Sequence, residues 1–213
     1  MTRFDLVIFD CDGVLIDSER LAVRTESQIL TELGWPLSEA DVIERFVGRS
    51  AVYMQSVIEE KIGRRVDWQA EFELRVRDVY ERELVPVDGV IAVLDEITVP
   101  TCVASSSSHQ MLNFMFGLTG LAERFTGCIF SADDVAHGKP DPAVFLFAAE
   151  SMGMRPDRCA VIEDSVSGVE AALAAGMSVF AFSGGVTSAR QLERDGVVLF
   201  DAMHLLRELL ARS

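Results

Sequence analysis

The sequence is short of basic residues: 19 Lys and Arg stand against 34 Asp and Glu, a formal net charge of -15. So acidic a chain is a poor partner for nucleic acid or an anionic membrane, both polyanions. Long apolar runs are missing too. None approaches the ~20 residues that a membrane span requires, and no signal-peptide pattern opens the chain. The four cysteines, Cys11, Cys102, Cys128 and Cys159, lack CxxC spacing and lie in or beside apolar runs. That predicts four buried, reduced thiols and a cytoplasmic protein. The three histidines, His109, His137 and His204, have no metal-ligand spacing. No internal repeat or low-complexity segment is present, and nothing implies a protein partner. What remains is 213 residues, 49% hydrophobic, with a mean hydropathy of +0.25. A sizeable core is available, as one domain or as a core carrying an insertion.

The order of the apolar runs favours the second arrangement. A strand over about 4–10 is followed by helical spacing only. Residues 19–33 end before Gly34, and Ser38 with Asp41 forms an N-cap box. Met54, Val57, Ile58 and Ile62, then Trp68, Phe72, Val76, Val79 and Tyr80, keep helical periods. Four helices and no strand between 18 and 85 predict a separate helical domain. From Pro86-Val87-Asp88-Gly89 onward strands and helices alternate, with strands at 102–104, 128–131, 159–162, 177–182 and near 197–200. Asp141-Pro142 reads as an N-cap with proline at N1 for a helix over 143–152. Alternating strand–helix units predict an α/β fold with a doubly wound parallel sheet.

Chemistry-bearing residues gather at the ends of four of these runs. The first run stops at Asp10-Cys11-Asp12-Gly13. Val103-Ala104 ends at Ser105, followed by Ser106, Ser107 and Ser108. The strand at 128–131 leads to Gly138-Lys139-Pro140, and Ala160-Val161-Ile162 ends at Glu163-Asp164. In a parallel sheet the carboxyl ends share one edge, where ligands bind, so these residues are expected in one pocket. Cys11, between two aspartates on an alternating strand end, is expected to pack away from both.

Four motifs in this order resemble the haloacid dehalogenase-like hydrolase superfamily: Asp-x-Asp-Gly after a strand, a Ser after a second, a Lys, and an acidic pair. The resemblance spans residues 4 to 164. It implies a Rossmann-like core over 1–17 and 87–213, with a helical cap over 18–86 on hinge strands near 15–18 and 84–88. It also implies hydrolysis of a small phosphorylated metabolite through an aspartyl-phosphate. Asp10 would be the nucleophile and Asp12 the acid/base. Gly13 would let backbone approach the phosphate, Ser105 would donate to it with Ser106 and Ser107 lining the pocket, and Lys139 would offset its charge. Asp10, Glu163 and Asp164 would hold Mg²⁺, with the main-chain carbonyl of Asp12. Either acid of the pair could also cap the following helix. Dehalogenases of this fold lack the acid/base aspartate and phosphonate-cleaving relatives place alanine there, which argues against both. A β-phosphoglucomutase-like mutase is the alternative, but its cap histidine and arginine fall on Ala22 and Ala51. A phospho-accepting receiver domain has no helical insertion and places its acidic pair before the phosphorylated aspartate. Arg24 and Phe46-Val47-Gly48-Arg49 resemble sugar-phosphate and sugar-acid phosphatases, with Arg49 the expected substrate contact.

Overall fold

The computed structural model describes residues 4–49 and 51–212. The outermost ends of the expected core, residues 1–3 and 213, lie outside that range. The chain divides into two compact units, Met1–Asp17 with Val85–Ser213, and Ser18–Leu84. The core begins with β1 (Leu6–Phe9), all four residues buried. The second unit then supplies α1 (Ser18–Glu32), α2 (Glu39–Phe46), α3 (Ala51–Ile62) and α4 (Trp68–Glu83). The chain re-enters the core through α5 (Val90–Glu96), β2 (Thr101–Ser105), α6 (His109–Thr119) and β3 (Ile129–Ser131). It continues with α7 (Ala143–Ser151), β4 (Cys159–Glu163), α8 (Val166–Ala174) and β5 (Ser178–Phe182). The last elements are α9 (Ala189–Leu192), β6 (Val197–Phe200) and α10 (Leu206–Arg212). Among the described residues no helix is long and apolar enough to cross a membrane.

The six strands form one parallel sheet in the order β3-β2-β1-β4-β5-β6. Strand order therefore reverses beside β1, and such a switch point opens a crevice outside the carboxyl ends of the strands there. The central strands are buried on both faces, so their sequences run as continuous hydrophobes rather than alternating ones. Leu6 and Ile8 of β1, Val161 of β4 and Val179 of β5 pack on one face with Phe145, Ala148, Val169 and Ala172 of α7 and α8.

The helical unit has its own core, centred on Val23, Ile29, Leu30, Val42, Phe46, Met54, Ile58 and Trp68. The Ser38–Asp41 box caps α2 in both directions, Asp41 N donating to Ser38 Oγ (3.2 Å) and Ser38 N to Asp41 Oδ2 (2.9 Å). Arg24 of α1 pairs with Glu83 of α4 at 2.8 Å, so its charge is already matched.

Three expectations shift in detail. Val85 and Pro86 belong with the core rather than with the insertion. The reason is a backbone seam: Asp17 N donates to Val85 O and Val87 N to Leu15 O, each at 3.0 Å. The expected hinge strands reduce to this seam and a single bridge between Ile16 and Pro86. Cys128 is only half-buried, while Cys11, Cys102 and Cys159 are buried; all four are free thiols.

Candidate active site

β1 ends at Phe9, and Asp10 is already turning out of the strand, its amide donating to Ile162 O of β4 at 2.9 Å. The next turn is tight. Gly13 adopts φ +75°, a left-handed conformation that L side chains resist. A Cβ there would also lie 1.9 Å from Asp164 Oδ2. Glycine is thus required twice over, by the backbone and by the carboxylate packed against it. Cys11, between the two aspartates, is fully buried, and burial followed by its acidic neighbours pushes its thiol pKa well up. A protonated, buried sulfur is packing, as expected.

Lys139 reaches this turn from the loop after β3, following Gly138 and preceding a cis peptide to Pro140. Its ammonium donates to Asp10 Oδ1 (2.5 Å), Glu163 Oε1 (2.7 Å) and Ala104 O (3.0 Å), and it lies 4.7 Å from the centre of the Phe145 ring. The side chain is 2% exposed. Burial works against the charge, but Asp10 and Glu163 outweigh it and hold the Lys139 pKa above its ordinary value. The Asp10 carboxyl is also shifted upward, pushed up to about 7: burial raises it first, Glu163 and Asp12 add to that, and Lys139 opposes them.

Asp10, Glu163 and Asp164 are all buried, and each offers a carboxylate oxygen within 4.8 Å of the others. Three buried carboxylates against one ammonium leave room, in charge and in donor type, for a hard divalent cation. The two acids of β4's end are not equivalent. Glu163 is heavily engaged: Oε1 holds Lys139, and Oε2 accepts from Asp164 N (2.9 Å), Ser165 N (2.8 Å) and Ser165 Oγ (2.9 Å). The helix cap belongs to neither acid. Ser165 is the N-cap of α8, its hydroxyl accepting from Gly168 N at 3.0 Å.

Gly168 is a site residue that sequence reading missed. A Cβ on it would stand 1.7 Å from Glu163 Oε1 and 1.9 Å from its Cδ. The available signal was a glycine in the first turn of a helix, where it costs ~1 kcal/mol relative to alanine. Gly168→Ala is therefore expected to destabilise by about 2 kcal/mol or more despite its better helix propensity, because the added methyl overpacks a buried carboxylate. Chemical denaturation checks the sign; a more stable variant contradicts this packing.

The turn after β2 completes the cluster. Ser105 is buried, and its hydroxyl accepts from Ser107 N at 3.0 Å, which leaves its own proton to be donated elsewhere. Ser107 Oγ donates to Asp12 Oδ2 at 2.8 Å, whereas Ser106 is exposed. Of the two serines weighed for the pocket wall, the contact to an aspartate is thus made by Ser107. Buried Ser131, at the end of β3, braces the loop by donating to Ser107 O at 2.7 Å. Its signal in the sequence was Ser131-x-x-Asp134, a capping box that closes a short 3-10 turn. His109 sits outside this group, paired at 2.9 Å with Asp134. Arg49 follows α2 in the helical unit, exposed, with its guanidinium 5.6 Å from the Tyr53 ring centre.

Comparison with known proteins agrees with this architecture. The family model for haloacid dehalogenase-like hydrolases matches residues 4–176. The chain is 31% identical over 185 residues to 6-phosphogluconate phosphatase of Escherichia coli, covering 85% of this chain and 84% of that one. A conserved haloacid dehalogenase-like protein of unknown function from Agrobacterium tumefaciens superposes with a TM-score of 0.91 at 37% identity, over 98% of both chains. A family hydrolase from Deinococcus radiodurans, crystallised with bound phosphate and sodium, superposes at 0.85 with 29% identity, over 100% of this chain and 97% of that one. Fold, motif order and family model converge: the chain belongs to the haloacid dehalogenase-like hydrolases.

Proposed function

We propose that this chain is a Mg²⁺-dependent phosphatase that hydrolyses a small phosphorylated metabolite, a sugar phosphate or sugar-acid phosphate, through an aspartyl-phosphate on Asp10. The observation that carries the reading is the buried Asp10–Lys139–Glu163 ion cluster beside Asp12 at the switch point of the sheet. The Asp10 carboxylate attacks phosphorus while the bond to the leaving oxygen breaks, and Asp12 gives that oxygen its proton. Asp12, now ionised, takes a proton from water as the water attacks the phosphoryl group and frees Asp10. Ser105 and the amides of its turn, Ser106 among them, donate to the phosphoryl oxygens, and Lys139 offsets charge on nucleophile and phosphate alike. Gly13 keeps the turn open to the phosphate. Asp10 and Asp164, with the Asp12 carbonyl, would hold Mg²⁺ directly. Glu163, whose Oε2 is already filled by three donors of its own loop, would reach the ion through water. The ion would supply positive charge at the phosphoryl oxygens.

Activity on phosphate monoesters is expected to vanish in EDTA and return with Mg²⁺, and Ca²⁺ is expected to inhibit because its larger, looser coordination spoils in-line geometry. Full turnover in metal-free buffer overturns the reading.

The likeness to a 6-phosphogluconate phosphatase supports a sugar-acid substrate. We assign Arg49 to that choice, since its exposed guanidinium suits a bidentate grip on a carboxylate that lysine cannot reproduce. Arg49→Lys is expected to lower kcat/KM about tenfold more for the preferred sugar-acid phosphate than for p-nitrophenyl phosphate, a loss of ~1.4 kcal/mol in selectivity. Equal losses reject the role.

A further inference from the structure

Ser107 donates to Asp12 from a position fixed at both ends of its own peptide unit, and we propose that it is the positioning residue of this acid/base group. The inference rests on the phosphatase reading above. Every polar atom of Ser107 is engaged: N donates to Ser105 Oγ at 3.0 Å, O accepts from Ser131 Oγ at 2.7 Å, and Oγ donates to Asp12 Oδ2 at 2.8 Å. Ser131 is itself immobilised. It is fully buried, its amide donates to Asp134 Oδ2 at 2.8 Å, and its hydroxyl accepts from Asp133 N at 3.1 Å. The 3-10 turn after β3 therefore braces the loop after β2, and that loop aims one hydroxyl at Asp12.

The chemistry of the partner matters as much as its rigidity. Asp12 must be a carboxylic acid before the leaving group departs and a carboxylate afterwards. A lysine beside it would favour only the ionised form. A neutral hydroxyl donates to a carboxylate oxygen and to the carbonyl oxygen of the acid alike, so Ser107 can keep donating to Oδ2 in both states without moving. One carboxyl oxygen is held in either state while the other exchanges the proton with substrate or water. Positioning of this kind is lost without loss of phosphate binding, and so it can be told apart from it.

The test compares Ser107→Ala, Ser107→Thr and the unaltered chain, with Mg²⁺, on an alkyl phosphate (6-phosphogluconate) and on p-nitrophenyl phosphate. kcat/KM covers every step up to cleavage of the substrate ester, so hydrolysis of the phosphoenzyme does not enter. The alkoxide needs its proton from Asp12, and the nitrophenolate leaves without one. Ser107→Ala is expected to lower kcat/KM on the alkyl phosphate at least ~10-fold more than on the aryl phosphate, within the ~10²–10⁴-fold range of general-acid assistance. Ser107→Thr, which keeps the hydroxyl, is expected to retain the alkyl-to-aryl ratio of the unaltered chain. Equal losses on both substrates would make Ser107 a phosphate ligand or a packing residue and overturn the assignment, as would no loss on either, or a threonine variant with the alanine pattern. Failure of the unaltered chain to release phosphate from either substrate would instead refute the phosphatase reading itself.

Discussion

Asp10→Asn is expected to abolish turnover, by ~10⁴-fold or more, and to leave no acid-stable or trappable phosphoenzyme. The substitution keeps the shape of the side chain and can still accept one hydrogen bond from Lys139, so the fold has no steric reason to change. What disappears is the charged oxygen that attacks phosphorus. Asp12→Asn separates the two aspartates. It removes the proton donor but not the nucleophile, so a substrate with a good leaving group should still phosphorylate the protein. Quenching with labelled substrate and counting protein-bound phosphate distinguishes the variants. Normal rates in Asp10→Asn would mean that another group attacks.

Lys139→Ala carries the second large effect, on stability and on rate together. Its side chain is 2% exposed and joins two carboxylates whose own exposures are 9% and 0%. Deleting the cation leaves Asp10 and Glu163 uncompensated in the interior, which costs on the order of 3–5 kcal/mol. Turnover is expected to fall by ~10³-fold, because the phosphoryl group loses a preorganised charge as well. Thermal unfolding in EDTA and in Mg²⁺ separates the two contributions: added Mg²⁺ should recover part of the lost stability and little of the rate. A variant that melts like the unaltered chain in EDTA would show that the ion cluster adds nothing to the fold.

The residues that carry charge were legible in the sequence because each follows a hydrophobic strand, and parallel strands bring their carboxyl ends together. Asp10, Asp12, Lys139, Glu163 and Asp164 come from three separate stretches of chain, and the sheet register converges Asp10, Lys139 and Glu163 to hydrogen-bonding distance. The strand order was not legible, since a sequence of alternating units does not say on which side of β1 the chain returns. Neither was the division of labour within Glu163-Asp164. Only the turn geometry shows Glu163 consumed by Lys139 and three donors of its own loop, with Ser165 rather than an acid capping α8. Ser107 and Ser131 escaped emphasis for a similar reason. A serine carries no pattern of its own, and which of four consecutive serines meets Asp12 depends on a loop conformation that propensity does not encode. Gly168 was hidden because its role is to be small beside a carboxylate five residues earlier, a contact made only once the helix has formed.

The seam where the chain leaves and rejoins the core has an evolutionary consequence. Asp17 and Val85 are joined by a backbone hydrogen bond, with Leu15 and Val87 joined just below it. Whatever lies between them is, for the sheet, a loop whose ends are already clasped. The entropy of closing such a loop grows only with the logarithm of its length, roughly 0.6 kcal/mol per doubling. An insertion there can be lengthened, shortened or replaced at little thermodynamic cost to the strands that carry Asp10 and Glu163. The inserted unit can thus change in length and sequence while the strands that carry Asp10 and Glu163 stay fixed.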